Sequence, residues 1–240
     1  MPAACCGVIG LKPTFGSVSR QGVSPEITSL DCVGFFSRDL AVMHSILAAL
    51  DFPPARATEL TTPAFISGVA QPEIELQLKE FFAARCTCDE VELEYFNAAH
   101  VAGLTIISQE NWVSFGHLST HPDLSIDVKT RIKQGGNIDD KQREVAEKVR
   151  ECLTRELDAL LDRHQFIMLP ALPELPPTLD EARDPLKVVN LTRLLRPLNL
   201  SGDHALVIPA GEVAGRPVNL QVIAHKNNER GLISFAAKIM

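Results

Sequence analysis

The chain of 240 residues is poor in aromatic side chains, with one Trp and one Tyr, and poor in clustered positive charge. Stacking on nucleic-acid bases needs aromatics, and phosphate neutralisation needs grouped Lys and Arg. A net charge of −7 points the same way, so nucleic acid is excluded as a partner. The short basic groups at Lys129, Arg131 and Lys133 and at Lys148 and Arg150 read as solvated helix faces. No apolar run approaches the roughly 20 residues that cross a bilayer, which excludes a membrane span. The N-terminus has neither the charged nor the apolar region of a signal peptide. None of the six cysteines has the C-x₂-C spacing of a zinc site, and Cys5, Cys6 and Cys32 sit among small or apolar neighbours typical of buried free thiols. A reducing cytoplasm is the expected compartment, with no metal and no cofactor. Seven histidines are present, but no Gly-x-Ser-x-Gly elbow accompanies them, so a serine triad has no support.

What remains is an ordinary globular composition, 45% hydrophobic and 22% charged, in a chain long enough for a sizeable core. We expect residues 1–240 to form a single domain. Ser37 can cap a helix from Arg38 to about Leu50, with Leu40, Met43, Ile46, Leu47 and Leu50 on one face. The polar stretch Ala55 to Thr62 reads as surface loop, and Pro72 suits the first turn of a helix burying Ile74, Leu78, Phe81 and Phe82. Val91, Leu93 and Tyr95 alternate with glutamates, the period of a half-buried strand. His100 to about Gly116 reads as helix with Ile106, Ile107 and Trp112 in the core. Asp139 or Asp140 can cap the longest helix, ending near Asp162, with Val145, Val149, Cys152, Leu153, Leu157, Leu160 and Leu161 as its stripe. The continuous apolar run Gln165 to Leu169 predicts a strand covered on both faces. Leu186 to about Leu195 reads as helix. Ala205 to Gly211 and Gly215 to Ile223 read as strands joined by a glycine turn, and a last helix starts near Asn228.

The most specific stretch is the first. Pro2-Ala3-Ala4-x-Cys6-Gly7-x-x-Gly10-Leu11-Lys12-Pro13-Thr14-x-Gly16-x-Val18-Ser19, followed by Ser29-Leu30-Asp31-x-x-Gly34, resembles the second half of the signature region of the amidase signature family. Asn199-Leu200-x-Gly202, the Ala205 to Pro209 strand and Gly215-x-Pro217-x-x-x-Gln221 resemble that family's C-terminal region. Asp203 and His204 depart from it, standing where an apolar residue and Pro are common, as do Asn219 and Ala224 where Gly is common.

The resemblance implies an α/β fold: a twisted mixed β-sheet covered by helices on both faces, here incomplete at the N-terminus. It also implies hydrolysis of carbon–nitrogen bonds in a small-molecule amide by a nucleophilic Ser, a second Ser in a cis peptide and a Lys. In this register all three would precede Met1, so no catalytic residue is assigned and Lys12 is given a structural role. Pro2, Ala3, Cys6, Gly7 and Asp31 would support the nucleophile loop. Arg131 is a candidate contact for a substrate carboxylate, its alternative being a solvated helix residue. Asn199, Ser201 and Gly202 either line the pocket or turn the chain. The expected function is that of an amidase represented by its C-terminal portion and inactive alone. The alternatives are a non-catalytic amidase-like binding or assembly protein, or a chain completed by a partner. An uncovered sheet edge would favour homo-oligomers.

Overall fold

A computed structural model of the chain describes residues 1–56, 62–183 and 190–240. Among the described residues, seven strands form one mixed sheet: β1 (Ile9–Lys12), β2 (Phe35–Ser37), β3 (Ala64–Ile66), β4 (Asp89–Val91), β5 (Phe166–Pro170), β6 (Ala205–Val213) and β7 (Arg216–Ala224). Their order is β2-β1-β6-β7-β5-β3-β4. β3 lies parallel to β4 and to β5, whereas the other neighbours are antiparallel. The α-helices among the described residues are α1 (Pro2–Cys6), α2 (Leu40–Ala49), α3 (Pro72–Ala83), α4 (Phe96–Phe115), α5 (Ile126–Gly135), α6 (Asp140–His164), α7 (Arg196–Ser201) and α8 (Glu229–Ile239).

Successive side chains of a strand point to opposite faces, and the core divides accordingly. Phe65, Phe166, Met168, Leu206 and Ile208 face α2, α3 and α8, where they meet Met43, Leu47, Leu78, Phe82 and Phe235. Ala64, Ile66, Ile167, Leu169 and Ala205 face the opposite layer of α4, α6 and α7. All five β5 residues are buried, as a strand with helices on both sides requires. β6 and β7 form a long hairpin around Ala214 and Gly215, both at positive φ, the backbone of a tight two-residue turn.

Several expectations need correction. The α2 cap is Asp39, whose carboxylate accepts from Val42 N at 2.8 Å; Ser37 is still in β2, because the chain leaves the sheet only after it. β4 ends at Val91, so Leu93 and Tyr95 lie outside the strand; Glu156 on α6 instead accepts from the Glu94 and Tyr95 backbone amides at 2.6 and 3.2 Å. Trp112 is 37% exposed and Val145 61% exposed, because α4 and α6 turn other faces inward. Cys6 is exposed, and all six cysteines are free. The segment 57–61, within the expected loop, and 184–189, within the expected helix at Leu186 to Leu195, lie outside the described residues.

Asp139 caps α6 with a complete capping box, its carboxylate accepting from Gln142 N at 2.8 Å while Gln142 accepts from Asp139 N at 2.9 Å. We expect Asp139→Ala to destabilise the fold by about 1 kcal/mol in urea unfolding, the usual worth of an N-cap side chain; no change would show that the α6 start does not depend on this cap.

Candidate functional site

A cleft of about 540 Å³ opens beside α1 on the α4 and α7 side of the sheet. Its floor is set by glycine and alanine. α1 begins with Pro2 at its first turn and ends on Gly7 in the left-handed conformation, whose N–H returns to Ala3 O. A Cβ on Gly10 would lie 2.4 Å from the Ala3 Cβ, so α1 can rest on β1 only because residue 10 has no side chain. Asn219 on β7 donates from Nδ2 to Ala4 O at 2.6 Å and fixes α1 from beneath.

The second wall is the segment Leu30, Asp31, Cys32 and Gly34. The buried Glu110 carboxylate on α4 accepts from Ser29 N at 3.0 and 3.1 Å, and Arg150 on α6 donates to Ser29 Oγ at 2.8 Å. A Cβ on Gly34 would stand 2.8 Å from Leu11 O, so that residue too must be glycine for the segment to lie against β1. The third wall comes from Gly103 and Ile107 of α4 and from Thr192, Leu195, Arg196, Leu198 and Asn199. Gln221 on β7 reaches across to Leu194 O at 3.2 Å.

Polar groups in the cleft are few. Lys12 Nζ donates to Pro13 O at 3.2 Å and approaches Cys32 Sγ at 3.7 Å. Burial lowers its pKa, and the nearby Cys32, Asp203 and Glu229 pull it back up. Arg196 is half-buried and donates from Nη2 to Thr192 Oγ1 at 2.6 Å. No serine lines the cleft among the described residues. Nor do the described residues gather three or more metal-ligating side chains.

Behind Lys12 lies a buried polar cluster built on the two residues that depart from the amidase pattern. Asp203 and His204 are fully buried and Glu229 nearly so. Thr14 N donates to Glu229 Oε1 at 2.9 Å, and Thr14 Oγ1 lies 3.3 Å from His204 Nδ1. Lys226 Nζ approaches Asp203 Oδ1 at 3.8 Å. Burial pushes the His204 pKa down to about 4, although the Glu229 carboxylate draws it up. Burial raises the Asp203 pKa.

Of the residues singled out in the sequence, Pro2, Ala3, Asp31 and Asn199 line the cleft. Ser201 is buried and accepts from Asp203 N at 3.4 Å, without lining the cleft. Gly202 ends α7 at positive φ, and its carbonyl accepts from Phe15 N at 3.0 Å. Cys6 belongs to α1 and Gly7 caps it, neither lining the cleft, and Arg131 is exposed on α5. Arg196 and the Glu110–Arg150 bracket were not anticipated. A signal for Arg196 did exist: it is a lone cation inside the otherwise apolar run Leu194-Leu195-Arg196-Pro197-Leu198.

The Amidase family model matches residues 1–81 and 89–233. The chain belongs to the amidase family. A glutamyl-tRNA(Gln) amidotransferase subunit from Archaeoglobus fulgidus is 26% identical, over 98% of this amidase chain and 61% of its own length. Its counterpart from Methanothermobacter thermautotrophicus is 28% identical, over 99% and 60%. The chain thus spans about three-fifths of the relatives it matches. A solved amidase superimposes with a TM-score of 0.84 at 24% identity, covering 99% of this chain and 59% of its own. The allophanate hydrolase of Kluyveromyces lactis gives 0.85 at 23%, covering 99% and 44%.

His204 makes the amidase chain's stability pH-dependent. Its pKa is about 4 when folded against 6.5 as a free side chain, so the unfolded chain takes up the proton first. The stability due to neutral His204 is complete above pH 6.5, falls as pH drops, and is lost below 4. Asp203 acts in the opposite sense, since its raised pKa favours the folded state as acid protonates it. Comparison with His204→Asn isolates the histidine. Between pH 7 and 4 the variant should gain roughly 3 kcal/mol relative to the unsubstituted chain in urea unfolding. A difference constant with pH would contradict this.

Proposed function

We propose that this chain forms the pocket side of an amidase that hydrolyses carbon–nitrogen bonds of small-molecule amides, and that alone it binds an amide without cleaving it. The observation that carries the reading is the make-up of the cleft. It has the volume for a small ligand and the apolar lining with a few polar groups that such sites share, yet no serine lines it among the described residues. A serine relay needs hydroxyl and base within hydrogen-bond reach of one another. Lys12 is engaged with Pro13 O and Cys32, and no hydroxyl nucleophile stands beside it among the described residues. On this reading the nucleophile, the bridging serine and the catalytic lysine are supplied from outside residues 1–240.

The chain's own residues then position the substrate. Ala3, Leu11, Leu30, Leu195 and Leu198 exclude water from the acyl part. Gln221 and Asn199 offer amide donors and acceptors to the group being cleaved. α1, fixed by Gly10 and Asn219, is the platform on which the reactive loop rests. The archaeal relatives are by name components of an amidotransferase, which fits a chain that works as part of a complex.

The experiment is a titration of the methyl-labelled 240-residue chain with succinamide, followed by NMR, with ammonia release measured in parallel. Shifts at Ala3, Leu30 and Leu198 without ammonia release are expected. Saturable ammonia release by the chain alone would contradict the absence of a nucleophile. Absence of binding would contradict the pocket and favour an assembly protein with an amidase fold.

A further inference from the structure

We propose that the α4 and α7 wall of the cleft is an anion subsite, so that the amide accepted there carries a carboxylate group; this rests on the amide-pocket reading and names its substrate class. The wall begins at Gly103. A Cβ there would lie 2.7 Å from Cγ and 2.9 Å from Cδ of Arg196, so the arginine lies flat across α4 only because this residue has no side chain. Its Nη2 is held by Thr192 Oγ1, whereas Nη1 is buried and without a hydrogen-bond partner among the described residues. Burial lowers the Arg196 pKa, and no carboxylate among the described residues opposes the effect.

One turn earlier on α4, His100 leaves Nδ1 buried and without a partner among the described residues. Burial and the charges of Arg196 and Arg193 hold its pKa below the ordinary value. Arg193 spends Nη2 on the neutral Asn97 Oδ1 at 2.8 Å. Three nitrogen-bearing side chains thus gather, Arg196 being the one that lines the cleft, and among the described residues no carboxylate is among the charges acting on His100 or Arg196. Elsewhere the arginines near this layer are paired: Arg143 and Arg150 both contact Glu147, at 3.1 and 3.3 Å.

A guanidinium taken out of water without a counter-ion is costly, and a bound anion removes that cost. Its planar fork matches a carboxylate through two parallel hydrogen bonds, strengthened where water is excluded. The cleft lining as a whole agrees, since among the described residues Asp31 is its one carboxylate against the cations Lys12 and Arg196.

The test compares succinamate with its neutral analogue succinamide, titrated into the full chain at matched ionic strength. Succinamate should bind at least tenfold more tightly. Arg196→Gln should abolish that preference, and Arg196→Lys should restore only part of it. Gly103→Ala favours the helix intrinsically yet displaces the Arg196 side chain, so it should also reduce the preference; thermal melts confirm that each variant is folded. Equal binding of the two amides, or an undiminished preference in Arg196→Gln, overturns the subsite while leaving the pocket reading intact. Inorganic phosphate displacing succinamate with equal or greater affinity also overturns it, since the wall would then be a general anion site. Failure of succinamide itself to bind removes the pocket reading instead.

Discussion

The close approach of α1 to β1 is the constraint on which the cleft depends. Five residues of helix cannot be stable by their own hydrogen bonds, since nucleation costs more than one turn returns. α1 persists because Ala3 and Ala4 are buried against the sheet, because Gly10 leaves room for them, and because Asn219 takes up the Ala4 carbonyl. Small residues here are a matter of distance: each missing methyl lets backbone meet backbone, and the space left open beside α1 becomes the cleft. The same logic recurs at Gly34 against Leu11 and at Gly103 against Arg196. Three glycines, in β1, just before β2 and in α4, therefore set the floor and two walls.

The two layers around the sheet are built differently, and the difference bears on function. On the α2, α3 and α8 side the packing is aromatic and apolar, with Phe166 stacked on Phe235 at 4.3 Å and Phe65 tilted on Phe82 at 5.3 Å. The opposite layer mixes leucine packing with buried charge, from the Glu110 carboxylate that holds Ser29 to the Arg150 guanidinium beside it. Buried ionic groups specify position more than they add stability. Here they fix Leu30, Asp31 and Cys32 as a wall of the cleft, while the aromatic layer supplies the rigid backing. The Asp203, His204 and Glu229 cluster joins the ends of β1 and α7 to the start of α8, so the backing also carries titratable groups.

Much of the fold was legible in one dimension. The run at Phe166 to Leu169 had no polar residue to turn outward, so burial on both faces was the reading its composition allowed. The α6 cap and stripe followed from Asp139 and the leucines, although Val145 points to solvent because the neighbour it needed is not on that side. The short strand at Asp89–Val91 was misjudged because alternation continues to Tyr95, whereas the chain turns where Glu156 captures its amides. For the cleft, Pro2, Ala3 and Asp31, read as supports of the nucleophile loop, and Asn199, read as a pocket or turn residue, are found among its lining. Arg196 stood out in the sequence only as a lone cation in the run Leu194 to Leu198; that it lacks a counter-ion among the described residues is a matter of space and leaves no mark in the order of residues. Arg131 drew attention as a candidate contact for a substrate carboxylate, yet it stands exposed on α5.

The account stands on the claim that Gly10 seats α1 and so shapes the cleft floor. Hydrogen exchange of the Gly10→Ala variant measures this directly. The added methyl should unseat α1, so that the Cys5 and Gly7 amides exchange at unprotected rates while β6 and β7 remain protected, with a loss of about 1–3 kcal/mol in global stability. Unchanged protection of α1 at unchanged stability would show that the helix holds its place by other means, and the account of the cleft would be wrong.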